Sequence, residues 1–317
     1  MVLFSMIKGI FQAGVTKYFS WKKIDRPAIL NDFAYGEHGY LHLEDLRIHY
    51  VASGPEDKPL MLFLHGFPEF WFSWRHQIKE FQKDYRVVAV DMRGYGDSDK
   101  PKGLQSYAFK TLIKDVKQMV AALGYKSCVL MAHDWGGIIA WAVARIYPEV
   151  VEKLIILNSP PANVFMNLLH NDQAQKKKSW YIFFFQTPWL PEIFIKSNDF
   201  AVLKRIIQEK EGEVSDAYRY VYSQSGALTA SINYYRAVFQ QVGDKVQHDL
   251  NYSMPVLLLW GVEDTAIDLS NPKTIEKANP AITVKYIEEA GHFVHQDAPE
   301  TVNKLIREWL ADVQAHP

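Results

Sequence analysis

The chain has 317 residues, 48% hydrophobic and 22% charged, with a formal net charge of −1 and a pI near 6.8. That length suits one large α/β domain, with or without an inserted lid, or two modest domains. The near-neutral charge, with no basic tract beyond "KKK" at 176–178, argues against a nucleic-acid partner. The single cysteine, Cys128, cannot form an internal disulfide and sits in an apolar run, which fits a buried small hydrophobe in a reducing, intracellular setting.

The chain opens with "MVLFSMIKGIFQAGVTKYFSWKK", which places Phe4, Ile7, Phe11, Val15 and Tyr18 on one helical stripe with lysines interspersed. It lacks the ~18 uninterrupted apolar residues of a spanning helix. It also lacks the small-residue cleavage site that follows the apolar core of a signal peptide. Two arrangements fit it equally: a helix lying in a membrane interface, giving peripheral contact through residues 1–23, or a helix packed on the body of the protein. The corresponding locations are cytoplasmic or peripheral at an internal membrane.

Short apolar runs follow at 46–53, 60–66, 85–91, 127–133, 153–159, 255–261 and 282–288, and these read as strands. Between them, "FKTLIKDVKQMVAALG" carries Leu112, Val116, Met119, Val120 and Leu123 at helical spacing, and "ETVNKLIREWLADV" does the same with Val302, Leu305, Trp309 and Val313. Strands alternating with helices predict a mostly parallel sheet covered on both faces. The alternation fails once, over roughly 90 aromatic-rich residues after the strand at 153–159, too long for a loop and too apolar for disorder. A helical lid over the carboxyl edge of the sheet is expected there. The division is therefore an N-terminal helical segment at 1–40, a core at 41–159 and 251–317, and a lid at 160–250.

"LMAHDWGGIIA" joins a strand to a helix through small residues, with Ala132 two positions before Asp134 and Gly136 two after it. That is the pattern of a nucleophile elbow, whose central side chain stands exposed at the top of a sheet. Asp264 follows a strand in "WGVED", and His292 follows the next in "AGHFVHQ", in the chain order of α/β-hydrolases. His295 lies close enough to compete with His292. "HGFPE" at 65–69 follows an early strand, where this fold supplies one oxyanion-hole amide, so the backbone amides of Phe67 and Trp135 are the expected pair. His65 and Pro68 are expected to line the substrate pocket. Singly, each of these motifs reads as well as a turn or loop; together they stand in the right order at the right strand ends.

"HGFPEFWFSWR", "DMRGYGDSDKP", "AHDWGGIIAW", "WGVED" and "GHFVHQDAPE" together resemble the epoxide hydrolases of the α/β-hydrolase superfamily, and among them the epoxide hydrolase 3 and 4 group. The resemblance runs from about residue 40 to the end, lid included. It implies an α/β-hydrolase fold, a vicinal diol as product, and no cofactor or metal. It also assigns the two lid tyrosines of these enzymes to Tyr181, in "SWYIFFFQTP", and Tyr235, in "INYYRAVF", with Tyr234 the neighbour that competes for the second place.

The aspartate itself selects the reaction. A serine attacking an alkyl carbon leaves an ether, which histidine-activated water cannot cleave. A carboxylate leaves an ester, whose carbonyl is hydrolysed through an oxyanion hole. Epoxides and alkyl halides both meet that condition. An epoxide releases a basic alkoxide and needs a donor such as tyrosine, with its pKa of about 10, whereas a halide is held by indole or amide N–H groups. Haloalkane dehalogenases share Asp-Trp at the elbow, but many place an amide-bearing Asn where Phe67 stands here, and the epoxide is preferred. A hydrolase-fold binding protein without catalysis is the third reading, and the presence of Asp134, Asp264 and His292 together speaks against it.

Overall fold

A computed structural model describes residue 9 and residues 14–22, 24–208, 211–240 and 250–315. The strands are β1 (Glu37–His42), β2 (Arg47–Ser53), β3 (Leu60–Leu64), β4 (Arg86–Val90), β5 (Cys128–His133), β6 (Val151–Leu157), β7 (Val256–Gly261) and β8 (Thr283–Ile287). They form one sheet in the order β1-β2-β4-β3-β5-β6-β7-β8. β2 is antiparallel to both β1 and β4, and every other pairing is parallel. β3, β5 and β7 are buried along their whole length, which is why they read as unbroken apolar runs rather than alternations.

Before the long interruption, the described helices are α1 (Val15–Tyr18), α2 (Arg75–Phe81), α3 (Phe109–Ala122) and α4 (Asp134–Ile146). α3 buries Leu112, Val116, Met119 and Val120 of the predicted stripe, and Ile113 beside them, while Leu123 caps the helix half-buried. The chain between β6 and β7 carries a run of helices: α5 (Ala162–Asn171), α6 (Gln173–Lys178), α7 (Trp180–Phe185), α8 (Leu190–Ile206), α9 (Glu213–Ser223) and α10 (Ala227–Phe239). α11 (Ser270–Ala278), α12 (Val294–Asp297) and α13 (Pro299–Ala315) follow β7, and α13 buries Val302, Ile306, Trp309 and Leu310.

The N-terminal forty residues hold more than a helix. After α1 come 3-10 turns at Ala28–Asn31 and Phe33–Tyr35 and then β1, an edge strand that buries only Leu41. Pro27, which has no N–H to donate, and Gly36 bracket these turns. Of the predicted apolar stripe, Phe4, Ile7 and Phe11 lie outside the described residues, Tyr18 is buried and Val15 is exposed. Among the described residues no helix is long and apolar enough to cross a membrane.

Candidate active site

β5 ends at His133 in extended conformation, and the chain turns at Asp134, whose φ of 48° is left-handed. For a residue with a Cβ this costs about 1–2 kcal/mol. Neighbouring packing over-determines it. Ser159 Oγ donates to the Asp134 carbonyl at 2.6 Å. A Cβ on Gly136 would come within 2.4 Å of the Leu64 carbonyl oxygen, so only glycine lets α4 start this close to β3. The same logic holds at Gly66, where a Cβ would lie 2.3 Å from Asp134 Oδ1. With glycine there, the 65–69 loop closes on the carboxylate, and Phe67 N–H donates to Asp134 Oδ1 at 2.8 Å. Trp135 is the second residue of α4, where a backbone N–H has no partner within the helix.

His292 lies between two carboxylates. Its Nε2 is 3.5 Å from Asp134 Oδ2, and its Nδ1 is 2.8 Å from Asp264 Oδ2. Asp264 is buried and fully engaged: Oδ1 accepts from the N–H groups of Ala266 and Ile267 at 2.7 and 2.8 Å, and Oδ2 from Asn158 Nδ2 at 2.7 Å. Burial pushes the Asp264 carboxyl up, but His292 and these donors outweigh it and hold the group below the ordinary carboxylate range. Burial likewise opposes a charge on His292, yet Asp264 and Asp134 together raise it well above the usual histidine value.

Asn158 is a residue that sequence reasoning passed over. It sits just beyond β6 at φ 41°, its Oδ1 accepts from Gly261 N–H at 2.8 Å, and its Nδ2 holds the acid. Its one sequence signal is a polar side chain at the carboxyl end of an apolar strand, in "KLIILNS".

Tyr181 on α7 and Tyr235 on α10 approach edge-to-face with ring centroids 6.0 Å apart. Tyr235 also stands edge-on to Trp135 at 4.9 Å and to Phe67 at 5.7 Å. Burial first, and the Asp134 charge second, raise both phenols above the ordinary tyrosine value, so both are protonated donors. Tyr234 is occupied elsewhere, its hydroxyl donating to the Arg93 carbonyl at 2.7 Å.

His65, expected at the pocket, is held by backbone groups on both sides of its ring. His65 is 0% exposed; Nδ1 donates to the Gly66 carbonyl at 2.9 Å, and Nε2 accepts from Met92 N–H at 3.0 Å. With both ring nitrogens bonded to backbone, the ring helps fix the 65–69 loop. Pro68 is buried beside it, after a cis Phe67–Pro68 peptide. His295 is not placed as the base. It is enclosed against Trp74 and Glu69, 3.0 Å from the latter, and burial lowers it to about 4.

Glu69 is buried completely, and its oxygens accept from Gly66 N–H at 3.0 Å, His133 Nδ1 at 2.6 Å and Gln296 Nε2 at 3.0 Å. His133 Nε2 in turn reaches the His292 carbonyl at 2.8 Å, so one carboxylate ties together the loops that carry Phe67, Asp134 and His292. Glu69, His133 and His295 bring three donor atoms close enough for a single ion. The hydrogen bonds just given already engage the Glu69 oxygens and both ring nitrogens of His133.

The elbow, the acid–histidine pair and the parallel sheet that carries them are those of the α/β-hydrolase fold, with aspartate in place of serine. The family model for the alpha/beta hydrolase fold matches residues 59–299. Human epoxide hydrolase 4 is 44% identical over 300 residues, covering 90% of this chain and 82% of that protein. Epoxide hydrolase 3 of Xenopus tropicalis is 40% identical over 300 residues, covering 90% and 81%. The crystal structure of the Bacillus megaterium epoxide hydrolase in complex with an inhibitor matches with a TM-score of 0.78 at 34% identity, over 86% of this chain and 100% of that one. The chain belongs to the epoxide hydrolases of the α/β-hydrolase fold.

Proposed function

We propose that this epoxide hydrolase opens lipophilic epoxides through a covalent ester on Asp134 and releases vicinal diols. One observation carries the reading. A single carboxylate has one oxygen on the Phe67 amide and the other 3.5 Å from the nitrogen of a histidine that leans on a second carboxylate.

The substrate lies beneath the lid at 160–250, its oxygen held by Tyr181 and Tyr235. Asp134 attacks a ring carbon from the opposite side, the C–O bond of the ring breaks, and a tyrosine proton moves to the leaving oxygen. Both phenols are held high partly by the Asp134 charge. That charge vanishes as the ester forms, which eases the proton transfer at the moment it is needed. His292, now facing one carboxylate instead of two, gives up its proton to restore the tyrosine and becomes a base. It then takes a proton from water, and the hydroxide adds to the ester carbonyl. The amides of Phe67 and Trp135 stabilise the oxyanion. Collapse expels the diol oxygen, which takes the proton of the new Asp134 carboxyl, leaving Asp134 ionised and His292 charged as at the start.

Every step uses protein groups and water alone. The Phe67 ring meets Phe185, Tyr222 and Tyr235 edge-on, an aromatic wall suited to fatty-acid or terpenoid epoxides.

His292→Gln tests the route. Attack by aspartate needs no base, whereas ester hydrolysis does, so the variant should gain one substrate mass by intact mass spectrometry and stop there. A folded variant that forms no adduct sinks the covalent reading or the choice of base.

A further inference from the structure

Among the described residues, large exposed hydrophobic side chains are unevenly placed. Trp180, Phe183, Trp189, Leu190 and Ile193, all on or between α7 and α8, are each more than a third exposed. α1 packs on α8, and beside it Phe19 and Trp21 are exposed as well. Phe19, Trp21, Trp189, Ile193 and Lys196 share the walls of one surface groove, so Trp189 and Ile193 stand on one face with Phe19 and Trp21. Trp189 stands at its tip, 76% exposed and held at a left-handed φ of 59°. Exposed apolar patches of this kind mark docking surfaces.

Lysines fringe this face. The described residues 14–22 carry Lys17 and Lys22 and no aspartate or glutamate, and Asp199, which accepts from the Lys22 N–H, is itself paired with Arg219 and Lys204. The Lys196 ammonium lies 5.2 Å from the Trp21 ring centroid. The carboxylate in the groove, Glu192, is neutralised by Arg236 at 2.8 Å. Tryptophans with lysines at their margin are suited to the boundary between lipid headgroups and acyl chains, and a basic fringe favours anionic lipid. α1, which packs at this face, follows an apolar, acid-free stretch of sequence at 1–13.

We propose that the α7–α8 face, together with residues 15–22, docks on an anionic lipid bilayer. α7 then has two roles, with Tyr181 turned towards the reacting centre and Trp180 and Phe183 turned towards lipid. A substrate dissolved in the bilayer meets the lid directly. The docking does not depend on the chemistry at Asp134 and is tested without it.

The full chain is sedimented with vesicles of phosphatidylcholine alone and with about a third phosphatidylserine. Binding to the anionic vesicles should be at least about tenfold tighter. Phe183→Ser/Trp189→Ser/Ile193→Ser should weaken that binding at least tenfold, while turnover of a water-soluble aryl epoxide without vesicles stays unchanged and reports an intact fold. Lys17→Glu/Lys22→Glu/Lys196→Glu should abolish the preference for phosphatidylserine. If the triple serine variant binds as wild type does while Phe4→Ser/Ile7→Ser/Phe11→Ser does not, the extreme N-terminus binds alone and the lid face is not docked. A face that binds neither vesicle, and whose serine variant converts a dimer to a monomer in sedimentation equilibrium, is a contact between copies and overturns the proposal.

Discussion

Asn158 and His292 converge on one oxygen: Asn158 Nδ2 donates to Asp264 Oδ2 at 2.7 Å, and His292 Nδ1 lies 2.8 Å from the same atom. The amide helps hold the acid in contact with the imidazole. Asn158→Ala leaves Asp264 with the two N–H donors on its other oxygen and leaves Gly261 N–H unpaired in the core. Losing a hydrogen bond to a charged group of this kind costs about 1.5–3 kcal/mol, or roughly 10–100-fold if it is felt in one step. The hydrolytic step should slow by that factor while alkylation keeps its rate, so ester accumulates in rapid-quench experiments. Equal slowing of both steps would reduce Asn158 to a part of the scaffold.

The tyrosines of α7 and α10 make a separable prediction. Tyr181→Phe and Tyr235→Phe should each slow ring opening, and the double variant more than either, because one donor lost at a developing oxyanion commonly costs about 100-fold or more. Tyr234→Phe should leave the rate alone and cost about 1 kcal/mol of stability, since its hydroxyl serves the Arg93 carbonyl. Single-turnover rates and denaturant titrations on the same set distinguish the two roles. A double variant at full speed would remove both phenols from the reaction.

The charge on His292 depends on Asp134, and that dependence has a sign. Its folded pKa lies above the unfolded value of about 6.5, so its contribution to stability is complete below that pH and is lost as pH rises through the raised value. Asp134→Asn mimics the neutral ester and removes one of the two flanking carboxylates. In the variant the His292 pKa should fall, read by NMR of labelled imidazoles. The stability lost as pH rises from about 6.5 should shrink relative to wild type, read by denaturant titrations across that range. An unmoved His292 titration would contradict the account of how ester formation turns this residue into a base.

Sequence pattern exposed the elbow well, because a left-handed aspartate packed against a neighbouring strand leaves glycine as its trace on both sides of the contact, at Gly66 and Gly136. Asp264 and His292 were legible for a related reason: each follows a strand that is easy to see. β1 was not, since an edge strand with one buried residue carries no apolar alternation. Glu69 stands inside a quoted motif, yet its burial is decided by His133 and His295, which approach it only in the folded chain. The hydrogen bonds of His65 were hidden for the same cause, as a histidine beside this loop gives no sign of which backbone groups will claim its ring.

The fate of water's oxygen discriminates most sharply between mechanisms. In a single turnover in oxygen-18 water, with enzyme in excess, the diol should carry little label. Water attacks the carbonyl carbon of the Asp134 ester and not the substrate carbon, so the oxygen left on the diol is one of the original carboxylate oxygens. The label enters the aspartate and reaches product only in later turnovers. The geometry favours this route, since Phe67 N–H already sits on the carboxylate that would become the ester, and the distance from His292 Nε2 to Asp134 Oδ2 is 3.5 Å. If His292 instead directed water straight at the epoxide, the first diol would be fully labelled and Asp134 would act only through its charge. Full label on the first turnover would remove the reason for an aspartate at the elbow, because a bystander charge has no need of a strained turn or of an oxyanion amide on its own oxygen.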